Sequence, residues 1–163
     1  GLETVFEQSI KLLNKQMSLG DFQRAAGYLA SINVDLRVFV LLQPPGMPPS
    51  RAVDGVIESL QFAEQCGARH VSIIATRGGN GIMEKLSASG GFMAPNAFAL
   101  EHCFDRALAV QRSMVVTVDL WDFPKLSKLC DLCVTKRHQR LAEMNLSQSI
   151  LPPCSVDCEC LHV

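Results

Sequence analysis

The chain has 163 residues, 48% of them hydrophobic and 19% charged, with a formal net charge of −1. That length and apolar share support one folded domain with its own core and exclude a disordered chain. The near-neutral charge excludes a global field for nucleic acid or acidic membranes, the apolar runs are too short to span a bilayer, and no charged-then-apolar signal segment opens the chain. Of the seven cysteines, five stand at or beyond position 130. An odd count clustered in this way argues against a secreted disulfide scaffold and for a reducing cytoplasm with thiols available to metal. Gly1 in place of an initiator Met suggests an incomplete or a processed gene product.

Thr4 with Glu7 three residues later has the form of a capping box, and Phe6, Ile10, Leu13 and Met17 follow at helical spacing. Ser18 and Asp21 repeat that signature ahead of Phe22, Ala25, Ala26 and Leu29. Leu36 to Leu42 is a short Val/Leu run of the kind that makes a buried parallel strand, stopped by Pro44, Pro45, Pro48 and Pro49. A helix from Ser50 carries Val53, Val56, Ile57, Leu60 and Ala63 on one face and closes at Gly67. His70 to Thr76 reads as the next strand, followed by the loop Arg77-Gly78-Gly79-Asn80-Gly81 and a short helix over Ile82 to Leu86. A longer helix runs from Pro95, suited to a first turn, to Val110, and Met114 to Leu120 is the last strand. Strands joined by crossovers of a dozen or more residues require a parallel sheet covered by helices. Three strands and a fourth cut short at Gly1 make about half of an eight-stranded barrel. This α/β half-barrel occupies residues 1–121. Residues 122–163 form a cysteine-rich tail with one basic helix, Lys136 to Met144.

In parallel barrels the chemistry gathers at the carboxyl ends of the strands. Those junctions hold Glu3 and Thr4, Gln43 to Gly46, Thr76 to Asn80, and Asp119 to Asp122. Thr4 serves equally as a helix cap, whereas Glu3 has no capping role. The prolines equally stiffen a loop. The glycines at 78, 79 and 81 could cradle a phosphate, although a plain turn is the commoner use. Arg77 could clamp a carboxylate or phosphate.

The ordered set of motifs resembles the radical S-adenosylmethionine (radical SAM) superfamily, in its elongator-like and methylthiotransferase-like group. Gly1-Leu2-Glu3-Thr4 matches a strand-end motif near the cofactor's ribose, and Leu42-Gln43-Pro44-Pro45-Gly46 matches a Pro-Gly turn near its adenine. Adding Thr76-Arg77-Gly78-Gly79-Asn80-Gly81, Val118-Asp119-Leu120-Trp121-Asp122 and Arg140 to Gln148 makes the chain similar to the radical SAM subunit of archaeosine synthase and its bacterial relatives. The resemblance implies the C-terminal half of a (β/α) TIM-type partial barrel. It places SAM near Glu3, Thr4, Gln43, Pro45, Gly46 and Thr76, with substrate near Arg77, Asn80 and Asp119. It also implies a 4Fe–4S cluster that cleaves SAM to a 5′-deoxyadenosyl radical, in tRNA nucleoside modification. Its partners would be the N-terminal half of the same barrel and an RNA substrate or tRNA-modifying subunit. The cluster's CxxxCxxC triplet is absent here, so this chain alone is expected to be inactive.

In the tail, Cys130 and Cys133 have a spacing that grips one metal from a single turn, and Cys154 and Cys158 complete a near-zinc-ribbon set, for zinc or an auxiliary iron–sulfur cluster. Cys160 lies too close to Cys158 for both to be assigned. Cys66 and Cys103 read as small buried hydrophobes. The four histidines form no ligand pair, and Trp121 is expected to cover an apolar edge. Lys125, Lys128, Lys136, Arg137, His138 and Arg140 make the tail basic, as an RNA-binding surface or a solvated helix face. Two other functions compete with the radical SAM reading: a zinc-dependent RNA-binding module centred on the tail, and a phosphate-binding barrel lyase centred on Arg77 to Gly81.

Overall fold

A computed structural model describes residues 1–79, 81–111, 113–126, 129–155 and Cys160. Among them, three strands, β1 (Leu36–Leu42), β2 (Ala68–Ala75) and β3 (Val115–Val118), form a parallel sheet in the order β1-β2-β3. The fold is therefore mixed α/β. The expected fourth strand is represented by a single parallel bridge: Glu3 pairs with Val40, donating its N–H to Phe39 O at 2.9 Å and accepting from Leu41 N–H at 2.7 Å. Spatial order thus follows chain order across the sheet.

Among the described residues six α-helices accompany the strands: α1 (Glu7–Leu12), α2 (Leu19–Ser31), α3 (Ala52–Gln65), α4 (Ile82–Ala88), α5 (Ala97–Val110) and α6 (Asp131–Ser147). α3 packs against β1 and β2, and α5 against β3 and α3. The strand residues on that side, Val38, Val40, Leu42, Val71, Ile73, Ala75, Val116 and Val118, are buried together with Leu60, Leu100 and Phe104. Each fully buried Val, Leu or Ile contributes roughly 1.5–3 kcal/mol, so this one-sided core holds the sheet. The opposite face carries Arg37, Phe39, His70, Ser72, Ile74 and Thr117 and remains partly open.

Helix starts follow side-chain chemistry. Ser18 and Asp21 form the expected capping box on α2. The box expected at Thr4 and Glu7 does not form: Thr4, buried directly after the Glu3 bridge, turns its Oγ1 to accept from Phe6 N–H at 3.1 Å, and Phe6 is the N-cap. α1 ends at Leu12, short of Met17, with Asn14 left-handed at φ 51° just beyond its C-cap, Leu13. A 3-10 turn over Pro49–Arg51 precedes α3. Pro95 lies outside α5, whose N-cap is Asn96, its side chain accepting from Ala99 N–H at 2.8 Å.

The largest difference from expectation is α6, which begins at Asp131 and runs into the core through Leu141 and Met144. Arg137 and Arg140 are not solvated. Arg137 pairs with Glu101 at 2.5 Å and lies over the Phe98 ring, and Arg140 pairs with Asp105 at 2.7 Å, both on α5. Burial pushes the Glu101 carboxyl up, opposed first by Arg137 and then by Arg140. Among the described residues Glu101 Oε1 and Arg137 Nε have no hydrogen-bond partner, so this pair orients α6 on α5 at a desolvation cost. Trp121 covers no edge; it is 85% exposed.

α6 also terminates the sheet. Asn145 accepts from Val118 N–H through Oδ1 at 2.8 Å and donates to Val118 O through Nδ2 at 3.0 Å. Gln148 repeats this at Val116, with both bonds at 2.8 Å, and also donates to Asn145 O at 2.9 Å. Two carboxamides therefore stand where a further strand would pair, which closes an edge that would otherwise template aggregation. Gln148 adopts φ 52° at the helix end, a conformation favouring Gly or Asn; its side-chain bonds explain a Gln there. Because Asn145 meets Val118 and Gln148 meets Val116, α6 runs antiparallel to β3, and its amino end lies beyond the strand's carboxyl end. Among the described residues no helix is long and apolar enough to cross a membrane.

Asn145→Ala would leave Val118 N–H and C=O without partners and cost about 1–3 kcal/mol. Hydrogen exchange should show Val118 deprotected while Val71 on the central strand keeps its protection relative to global stability. Unchanged protection at Val118 would contradict this account of the edge.

Candidate functional site

The carboxyl ends of the strands gather most of the candidate residues. Glu3 and Gln43 are both left-handed, at φ 66° and 56°, an unusual backbone for residues with long side chains. The Glu3 carboxylate pairs with Lys15 Nζ at 2.7 Å and is about a quarter exposed. Gln43 is buried and donates from Nε2 to Met93 O at 2.7 Å. Thr76 is buried and donates from Oγ1 to Leu42 O at 2.7 Å, tying the ends of β1 and β2 together. Thr4 is buried at its local turn.

The Pro-Gly turn is held from two sides. Pro45 is buried and its carbonyl accepts from Ser9 Oγ at 2.6 Å, while Gly46 N–H donates to Gly91 O at 2.8 Å. Gly46 has φ 79°, and a Cβ there would meet Leu12 Cδ1 at 2.6 Å. Close packing on α1 and a left-handed backbone thus account for this glycine. Pocket space of about 570 Å³ opens beside the turn, between Gly46, Met47 and the segment Gly90–Ala94.

Arg77 is partly exposed but held in ion pairs. It donates to Asp119 Oδ2 at 3.1 Å and also to Asp122 Oδ2. Asp122 in turn pairs with Lys125 at 2.9 Å, and Asp119 Oδ1 accepts from Trp121 N–H at 3.0 Å. This charged group borders a cavity of about 300 Å³ reaching Thr76, Gly78 and Pro95. The glycine loop is filled from within, since Gly79 N–H donates to Glu84 Oε1, and that bond holds the Glu84 carboxyl below its ordinary range. An anion from outside would have to displace this carboxylate. Asn80 lies outside the described residues.

The open face of the sheet holds a polar row that the sequence alone did not single out. Arg37 donates to Ser72 Oγ at 2.9 Å, Ser72 Oγ bonds Thr117 Oγ1 at 2.9 Å, and His70 Nε2 bonds the same Thr117 oxygen at 2.9 Å. Burial, and then the Arg37 charge, hold the His70 imidazole below its ordinary range, which favours its neutral form at pH 7. The row lines a concavity of about 510 Å³ together with Phe39 and Asn145. Period-2 placement of Arg37, Ser72 and Thr117 in otherwise apolar strands was the available signal.

A second constellation lies at the amino end of α6. Cys130 is the N-cap and Cys133 sits in the first turn, fully buried. Cys160 joins them, and the three sulfurs lie within 4.8 Å of one another, a group that could hold a metal ion. Of the residues expected to ligate, Cys130 and Cys133 are brought together; Cys154 is not in the group, its thiol facing Lys136 O at 3.5 Å, and Cys158 lies outside the described residues. Cys103 is buried and its thiol pushed up to about 12 by that burial, as expected for a small core residue, whereas Cys66 is half-buried at the end of α3.

No protein-family model, curated protein or solved structure matches this chain.

The carboxyl of Asp122 is held below its ordinary range by the bond from Lys125 and then by that from Arg77. A depressed acid contributes stability present above its unfolded pKa and lost as pH falls through the folded value. A carboxyl-carbon NMR titration should therefore place the Asp122 midpoint below the ordinary aspartate range and move it upward in Lys125→Ala. A midpoint at the ordinary value in the parent protein would contradict this linkage.

Proposed function

We propose that this chain is the carboxyl half of a radical SAM barrel whose complete form cleaves S-adenosylmethionine for tRNA nucleoside modification. The supporting observation is the asymmetry of the sheet. Its strands follow chain order in parallel, α6 closes the β3 side, and the Glu3 segment on the other side has no strand beyond it among the described residues. A barrel segment with one finished edge and one pairing edge has this form. The motif resemblance supplies the reaction, which fold alone never does.

The family's 4Fe–4S cluster does not fit the residues present. The sequence lacks a CxxxCxxC triplet, and the described thiolate group sits on α6 after the last strand. No step through that cluster is assigned to this chain. Its own share is the SAM-facing wall: Glu3 for ribose hydroxyls, and backbone around Gln43 to Gly46 for adenine. The side chains of Gln43 and Thr76 shape that wall from below, because their hydrogen bonds are already committed to the protein. Arg77 and Asp119 form the substrate side. Competing functions receive less support: Glu84 occupies the glycine loop, and two of the tail's basic residues are buried in ion pairs.

Glu3→Ala in the protein carrying both barrel halves should weaken SAM binding about tenfold, equivalent to one lost charge-assisted hydrogen bond of roughly 1.4 kcal/mol. Calorimetric titration reads this directly. Unchanged affinity in a folded variant would remove Glu3 from the site.

A further inference from the structure

We propose that Cys130, Cys133 and Cys160 bind one zinc-class ion as thiolates, and that this ion clips the tail to the amino end of α6. The inference rests on α6 and the tail alone and is independent of the radical SAM reading.

Spacing decides the nuclearity. A tetrahedral ion with metal–sulfur bonds of about 2.3 Å holds its thiolates roughly 3.8 Å apart. The three sulfurs here lie within 4.8 Å of one another, so small rotamer changes complete the site. In a 4Fe–4S cluster each thiolate leaves from a different iron, and the breadth of the cluster separates the sulfurs further. Three soft thiolate donors, with no carboxylate in the group among the described residues, favour zinc over the hard ions.

The local backbone is arranged for sulfur carrying negative charge. Cys130 caps a 17-residue helix and Cys133 lies in its first turn, at the positive end of its dipole. Cys130 N–H donates to Cys160 Sγ at 3.2 Å, the kind of outer-shell contact that orients a thiolate ligand.

The tail is steered to this point. After the left-handed turn at Gln148 it doubles back along α6, where Arg140 donates to Leu151 O at 2.7 Å and Pro152 O at 2.9 Å. Cys154 then bonds Lys136 O, one turn from Cys133. That contact turns the Cys154 thiol to the α6 backbone, while the Cys160 sulfur stands beside Cys130 and Cys133. As the three sulfur–metal bonds form, three thiol protons leave to solvent, so occupancy falls at acid pH. One tetrahedral position is left for a ligand from outside this set. The clip braces the same helix whose other end closes β3.

The test is metal content of the full chain purified under reducing conditions, by mass spectrometry with elemental analysis. About one zinc per chain is expected, lost in Cys133→Ser and in Cys160→Ser but retained in Cys154→Ser and Cys66→Ser. Because Cys133→Ser can fail to fold, cobalt substitution of the unaltered chain gives a second readout. Intense sulfur-to-cobalt charge-transfer bands with tetrahedral d–d absorption are expected. A metal-free chain with no cobalt spectrum, iron with acid-labile sulfide in place of zinc, or retention in Cys160→Ser with loss in Cys154→Ser would each overturn the proposal.

Discussion

The pairing of Asn145 and Gln148 with the free edge of β3 is the constraint on which most of this structure depends. A parallel strand of four residues has backbone donors and acceptors on both sides, and in the absence of a partner they would be exposed to water or to another chain. Carboxamides reproduce the donor–acceptor pair of a backbone, so two of them three residues apart on one helix serve two alternate residues of the strand. That match fixes the direction and height of α6. Leu141 and Met144 are then placed in the core, Arg137 and Arg140 against α5, and Cys130 and Cys133 beyond the carboxyl ends of the strands.

At that end of the sheet, most of the polar side chains serve the protein itself. Thr76 joins two strand ends, Gln43 holds the segment at Met93, and Glu84 fills the glycine loop. Such internal bonds make a rigid wall, and a rigid wall is what a cofactor-binding face requires. The left-handed backbones of Glu3 and Gln43 are strain placed at successive strand ends, which is where strained residues in enzymes concentrate. Glu3 and Arg77 keep their charges at partly exposed positions, paired with Lys15 and with Asp119 and Asp122. These pairs lie at the surface of the sheet end, outside the apolar core.

The strands and most helices were legible because their signals are local: β-branched runs bounded by proline or glycine, and apolar residues at helical spacing. What failed to read depended on distant partners. Thr4 and Glu7 have the form of a capping box, but the Glu3–Val40 bridge sets the backbone there and turns Thr4 elsewhere. Arg137 and Arg140 looked solvated because Glu101 and Asp105 lie more than thirty positions away in sequence. Spacing proposed Cys154 as a ligand. Among the described residues the sulfur beside Cys130 and Cys133 is that of Cys160, while Cys154 faces Lys136 O, a placement that spacing does not encode. The i, i+3 amides at Asn145 and Gln148 were visible in the sequence, yet their meaning required knowing that β3 ends the sheet.

The account stands or falls on whether this sheet is one part of a larger radical SAM barrel, and the most direct measurement is the sequence of the coding DNA upstream of codon 1. The account predicts an open reading frame that continues upstream and carries a CxxxCxxC triplet within about 200 codons, the scale of a missing half-barrel. An in-frame start codon with no such triplet before Gly1 would contradict it.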